Sequence, residues 1–146
     1  MEQLLNVHHI TKRFARDLPP VVEDVSFEVY SGEIFALLGP SGCGKTTTLR
    51  LIAGFERADT GNIYLEKQHF EGEGVHLPPE ARGIGIVFQE YALFPHLNVW
   101  GNTAFGLNKL PSRLRHERVM DVLEMVGLTA FKNRKPHELS GGQQQR

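Results

Sequence analysis

Apolar and polar positions divide this chain into two textures. From residue 4 to residue 88 the pattern favours strands. Leu4 to Ile10 predicts a first strand, and from Val25 to Tyr30 the residues Val25, Phe27 and Val29 alternate with Ser26 and Glu28, the period of a half-buried strand. Ile34-Phe35-Ala36-Leu37-Leu38 is apolar on both faces, which predicts a strand buried within a covered sheet. Ile84 to Phe88 predicts another. Gly44 to Ala53 predicts a helix, with Leu49, Ile52 and Ala53 three and four apart and Gly54 placed to stop it. Asp59-Thr60-Gly61-Asn62 reads as a turn before a short strand, Ile63 to Leu65. Residues 71–83, rich in Gly and Pro, predict an exposed loop.

Beyond Gln89 the period becomes helical. Asn98 predicts a cap for a helix running towards Leu107. Ser112 predicts a cap for another, on which Val119, Val122, Leu123 and Val126 fall at i, i+3, i+4 and i+7 before Gly127. The expected organisation is therefore residues 1–89 as one part and 90–146 as a helical part. The connection near Gln89 to Pro95 is too apolar for a flexible linker.

Composition narrows the function. The 146 residues carry 16 Lys+Arg against 17 Asp+Glu, a formal net charge of -1, which argues against a surface built to grip nucleic acid or anionic lipid. With 40% hydrophobic residues the chain can build a core. No apolar run approaches the roughly 20 residues that span a bilayer, and the N-terminus lacks the pattern of a signal peptide. The one cysteine, Cys43, excludes an internal disulfide and points to a reducing compartment. The seven histidines show no metal-ligand spacing; His8 and His9 are expected on opposite sides of a strand. The charged stretch Arg113 to Arg118 reads as a solvated helix face.

Gly39-Pro40-Ser41-Gly42-Cys43-Gly44-Lys45-Thr46 fits G-x-x-x-x-G-K-[ST] at every fixed position, between an expected strand and an expected helix. Such a loop turns several backbone N–H groups inward around a polyphosphate, and the helix that follows adds its N-terminal dipole. Lys45 is expected to reach the β- and γ-phosphates and the Thr46 hydroxyl to bind Mg²⁺, with Thr47 beside them. Cys43 reads as a small residue contributing its backbone N–H. A second glycine motif, Leu139-Ser140-Gly141-Gly142-Gln143, contains a capping box in Ser140 and Gln143, again at a helix start.

Together these two motifs, with Val87-Phe88-Gln89-Glu90 between them, make the chain resemble the nucleotide-binding subunits of ATP-binding cassette (ABC) transporters across essentially its whole length. The resemblance implies an α/β fold: a P-loop NTPase (RecA-like) core with an N-terminal antiparallel β region and a helical subdomain. It implies ATP and Mg²⁺ as ligands. Ser140, Gly141, Gly142 and Gln143 would close on nucleotide held by a second subunit in a head-to-tail dimer. Gln89 would contact Mg²⁺ or the attacking water; apart from the resemblance it reads rather as a polar residue capping a strand edge. Phe14 stands where family members place an aromatic that stacks on adenine. Tyr91 to Leu97 reads either as the surface that receives a helix of the membrane-spanning permease or as packing between subdomains.

The family pattern continues with an apolar strand ending in Asp-Glu, the second of which is the general base, and this pair is absent here. The C-terminal part of the core is accordingly expected to be missing, leaving apolar surface uncovered. The expectation is weak nucleotide binding without turnover by residues 1–146. As part of a full subunit the chain would power import from the cytoplasmic side of the inner membrane as a peripheral ATPase, serving permease subunits and, indirectly, a substrate-binding protein. Ala53-Gly54-Phe55-Glu56, Leu77-Pro78-Pro79 and Phe94-Pro95-His96-Leu97-Asn98-Val99 look most like iron(III) importers, with polyamine, sulfate and sugar importers close behind. A soluble ABC ATPase of DNA repair or translation fits less well, given the net charge of -1 and the single cysteine. A GTPase or small-molecule kinase sharing only the phosphate loop is a third reading; for the GTPase, Asn108-Lys109 is followed by Leu110-Pro111, so the guanine-reading N-K-x-D is absent.

Overall fold

The computed structural model describes residues 2–88 and 90–146. The chain divides into two compact units, Met1–Ile86 and Val87–Arg146.

The first unit is a five-stranded antiparallel sheet with one helix packed on it. Its strands are β1 (Gln3–Lys12), β2 (Val22–Tyr30), β3 (Thr60–Leu65), β4 (Gln68–Gly72) and β5 (Val75–His76), in the order β2-β1-β3-β4-β5. Helix α1 (Lys45–Ala53) lies between β2 and β3 in sequence, and the single turn α2 (Pro79–Arg82) follows β5. Val7, Ile10, Val22, Ile63 and Phe70 from the sheet meet Leu51 and Ile52 from α1 to form the core. Burying each such side chain contributes roughly 1.5–3 kcal/mol.

β1 does not alternate simply. Val7 and Ile10 are both buried although three residues apart, because a bulge between them inserts a residue. His9 sits at the bulge with φ 51, opposite Asp24 with φ 48, and its ring Nδ1 pairs with the Asp24 carboxylate. His8 and His9 are consequently not on opposite sides of a regular strand: their rings meet edge to face with centroids 4.4 Å apart. The expected turn at 59–62 is also partly strand. β3 begins at Thr60, and Gly61 adopts φ +92 against the bulge, where a Cβ would lie 2.3 Å from the His9 carbonyl oxygen. Only glycine fits that approach.

Residues 71–83 are not an exposed loop. They hold the end of β4, all of β5 and α2, and they bury two opposite charges. Arg82 donates to the carbonyls of Leu51 (2.7 Å), Ile52 (2.9 Å), Leu77 (2.6 Å) and Phe70 (3.2 Å). Its remaining donor meets Glu71 Oε2 at 2.7 Å. The same oxygen lies 2.6 Å from His76 Nδ1, and Glu71 Oε1 accepts from Ala58 N–H at 3.2 Å. The guanidinium thus satisfies the Ile52 carbonyl and adds a second donor to the Leu51 carbonyl, which also accepts from Gly54 N–H at 3.3 Å, and its charge complements the negative end of the helix dipole.

Ile34–Leu38 and Ile84–Phe88 differ from expectation. Neither is a strand, and Ile34, Leu38 and Val87 are 98%, 90% and 98% exposed. A segment apolar on both faces requires ladder partners at its edges and cover on each side, and none of the five described strands pairs with either segment. Phe35 is anchored nonetheless, its ring stacked on Phe27 with centroids 4.8 Å apart.

The second unit is helical: α3 (Val99–Ala104), α4 (Ser112–Met125) and α5 (Gly141–Gln145), joined by three short 3-10 turns. Asn98 caps α3 by accepting from Gly101 N–H at 2.8 Å. Ser112 does not cap α4 but is its first residue. Pro111 takes the cap position, and its carbonyl accepts from Arg115 N–H at 2.9 Å. Val119 and Leu123 turn inward onto Val99, Ala104, Leu128 and Leu139.

Two outcomes test this packing. Arg82→Met leaves the Glu71 carboxylate buried without its partner and should lower unfolding free energy by about 3–5 kcal/mol in urea titrations, whereas Arg82→Met with Glu71→Met should cost less than the sum of the two single changes. Gly61→Ala should destabilise more than Gly74→Ala. Gly74 also has positive φ (+74) but nothing within 4 Å of its would-be Cβ, so only the backbone strain of about 1–2 kcal/mol applies.

Candidate functional site

The candidate loop, Gly39 to Thr46, hangs between the Phe35 anchor and the start of α1. Gly39, Gly42 and Gly44 all take positive φ (152, 83 and 89). Gly44 is the decisive one. It is the N-cap of α1, it is buried, and a Cβ there would stand 2.3 Å from the Val21 carbonyl oxygen. The helix start is thereby set directly against the backbone that leads into β2. The first bond across the cap runs from Thr48 N–H to the Gly44 carbonyl at 2.8 Å, and the Thr48 hydroxyl donates to the same oxygen at 3.0 Å. The amides of Lys45, Thr46 and Thr47 are left without intrahelical acceptors, the arrangement that receives anions at a helix N-terminus.

Lys45 curls back over the loop. Its ammonium donates to the carbonyls of Gly39 (2.8 Å) and Pro40 (2.6 Å) and lies 3.4 Å from Cys43 Sγ. These acceptors are neutral and belong to the loop itself, so a phosphate oxygen that took their place would exchange each bond to a neutral oxygen for one between opposite charges. Ser41 and Cys43 are exposed along the same turn, as is Thr46. The Thr46 hydroxyl is one accessible oxygen donor, which suits a Mg²⁺ ion that takes most of its ligands from phosphates and water. Lys45 and Thr46 also border an open apolar cavity of about 450 Å³ lined by Leu5, Phe27, Phe35 and Leu49.

Phe14 belongs to the same unit. It lies in the turn after β1 and is 57% exposed, with the Lys12 ammonium 5.5 Å from its ring centroid. Exposure of this kind leaves a π-face for a planar ligand.

In the helical unit, Ser140 caps α5. Its hydroxyl accepts from Gln143 N–H at 3.3 Å, while Gln143 Oε1 accepts from Ser140 N–H at 2.9 Å. Gly141 and Gly142 face open space, with nothing within 4 Å of a would-be Cβ. The segment 94–98 is fixed by Asn102, whose side chain accepts from Phe94 N–H (2.8 Å) and donates to the carbonyls of Phe94, Leu97 and Asn98. Phe94 packs on Phe105 with ring centroids 4.2 Å apart, and with Ala92, Leu93, Val122 and Val126 it lines an apolar cavity of about 250 Å³. Gln89, expected at the metal, lies outside the described residues.

Sequence reasoning missed the supports of the loop: the Val21 carbonyl behind Gly44, the buried Thr48 hydroxyl, and Arg82 at the far end of α1. Gly54, read as the stop of the helix, also makes room for Arg82, since a Cβ on it would lie 2.5 Å from Arg82 Nε.

The spermidine/putrescine import ATP-binding protein PotA of Marinobacter nauticus is 50% identical over 99% of this chain and 38% of its own length. PotA of Acidothermus cellulolyticus is 54% identical over 86% of this chain and 32% of its own. The chain spans less than two-fifths of the length of these curated relatives. Among solved structures, the dimeric structure of MJ0796, a bacterial ABC transporter cassette, matches with a TM-score of 0.80 and 27% identity over 97% of this chain and 65% of that chain. A dimeric post-hydrolysis state of the same cassette, bound to ADP and Pi, matches with a TM-score of 0.75 at 24% identity, covering 97% of this chain and 65% of that chain. The fold is that of an ABC ATPase cassette, of which this chain forms part. The model of the family described as ABC transporter matches residues 22–146, and the chain belongs to that family.

Proposed function

We propose that this chain is the nucleotide-binding part of an importer ATPase, and that the imported substrate is a polyamine. The observation that carries the nucleotide reading is the Lys45 ammonium resting on two loop carbonyls at the N-terminus of a helix whose cap must be glycine. ATP is the substrate. Lys45 takes its β- and γ-phosphate oxygens, the free amides of Lys45 to Thr47 and the turn at Gly39, Pro40, Ser41, Gly42, Cys43 and Gly44 surround the rest, and Phe14 stacks on the base. Thr46 would hold Mg²⁺, which would supply charge neutralisation of the phosphates. Ser140, Gly141, Gly142 and Gln143 serve the nucleotide of a second subunit. Gln89 would contact Mg²⁺ or the attacking water.

Family membership supports hydrolysis by the full subunit at the cytoplasmic face of a membrane, working with permease subunits. Among the described residues no helix is long and apolar enough to cross a membrane. Residues 1–146 alone bind nucleotide and do not turn it over, since no apolar strand ending in Asp-Glu is present. For the substrate, motif likeness in the sequence favoured iron(III). The relatives carry spermidine/putrescine import in their names, which supports polyamines better.

Lys45→Ala should weaken Mg-ATP binding to the purified chain about 10- to 100-fold in calorimetric titration, the loss of one charge-assisted contact of about 1.5–3 kcal/mol, with little change in thermal stability. An unchanged affinity would overturn the nucleotide reading. Cells deleted for the gene should lose uptake of radiolabelled spermidine and keep ferric iron uptake; the reverse pattern would restore iron(III).

A further inference from the structure

We propose that Asp59 is a positioning residue for base recognition, holding Phe14 so that one face of its ring stays open to a planar heterocycle. This rests on the nucleotide reading above and adds to it a carboxylate that no motif contains.

Phe14 is exposed, so core packing does not fix its backbone. Asp59 does. Its Oδ2 accepts from Arg13 N–H at 2.6 Å, its Oδ1 lies 3.6 Å from the Lys12 ammonium, and its own N–H donates to the Thr11 carbonyl at 2.8 Å. The three residues before Phe14 are therefore all tied to one residue, which the chain reaches only after α1. Lys12, held by that carboxylate, places its ammonium 5.5 Å from the Phe14 ring centroid. A cation over one face of an aromatic ring is attracted to its quadrupole and leaves the opposite face for a stacking partner. The turn is closed from the other side by Arg13, whose guanidinium donates to the Leu18 carbonyl at 2.9 Å.

The same turn is mounted on the phosphate loop. Val21 N–H donates to the Lys12 carbonyl at 2.8 Å, and the Val21 carbonyl is the atom against which Gly44 packs. Asp59 thus holds the aromatic in register with the start of α1. Its removal should loosen the base contact while leaving the phosphate cradle, which Gly44 and Thr48 hold separately.

The test compares Mg-ATP with Mg-tripolyphosphate, which has the phosphates and no base, by calorimetric titration of the purified chain. Phe14→Ala should lower ATP affinity about tenfold, the scale of one aromatic–base stack, and leave tripolyphosphate within twofold. Asp59→Ala should lower ATP affinity about threefold and also leave tripolyphosphate within twofold. In the Phe14→Ala background, Asp59→Ala should have no further effect. A general loss of structure would weaken both probes alike, and that result overturns the proposal. So does an Asp59→Ala variant that binds ATP as tightly as the parent while Phe14→Ala does not, in which case base stacking stands without Asp59. If Phe14→Ala itself leaves ATP affinity unchanged, base stacking and the role of Asp59 fall together.

Discussion

Helix α1 is fixed at both ends, and the candidate site depends on that. At its start Gly44 packs against the Val21 carbonyl, so the cap cannot drift from β2. At its finish Arg82 occupies the carbonyls of Leu51 and Ile52. Between them Leu51 and Ile52 enter the core of the sheet. A helix held this way presents its first amides in one direction without further ordering on binding, which lowers the entropic cost of gripping an anion. The buried pair of Arg82 and Glu71 is worth little as a simple ion pair, because desolvation offsets attraction. Its value lies in donating to the Ile52 carbonyl at the end of α1 and to the Phe70 and Leu77 carbonyls of the neighbouring segments.

The helical unit is built on other terms. It has its own apolar core around Val119 and Leu123, and polar side chains fix its irregular segments: Asn102 for residues 94–98, and Ser140 with Gln143 for the start of α5. Both units thus expose a glycine-bearing helix start whose geometry is set by nearby groups rather than by chance sampling. Under the proposed function, the first start serves the chain's own nucleotide and the second that of a second subunit.

Parts of this were legible in the sequence. Gly39 to Thr46, the Asn98 cap and the Ser140 box are local devices, complete within eight residues or fewer, and the letters carry them. What was misread depends on distant partners. Ile34 to Leu38 is apolar on both faces, and that pattern states which neighbours the segment needs without providing them; with none of the described strands alongside, it forms no strand and leaves Ile34 and Leu38 exposed. Glu71 and Arg82 looked like loop charges because burial of a charge is decided by carbonyls 30 and 31 residues away, at Ile52 and Leu51. The bulge at His9 shifts the face of Ile10 by one residue, and Gly61, read as a turn, is there to accommodate it. Asp59 belongs to no motif, and only the folded chain brings it to Arg13.

The account stands on the amides at the start of α1 being the place where triphosphate binds. Hydrogen–deuterium exchange of the purified chain, followed residue by residue with and without saturating Mg-ATP, reads those amides directly. Exchange at Gly42 to Thr47 should slow by at least about tenfold on adding nucleotide, while the amides of β4 and β5 remain as they were. Unchanged exchange at Gly42 to Thr47 with nucleotide demonstrably bound would place the ligand elsewhere and contradict the account.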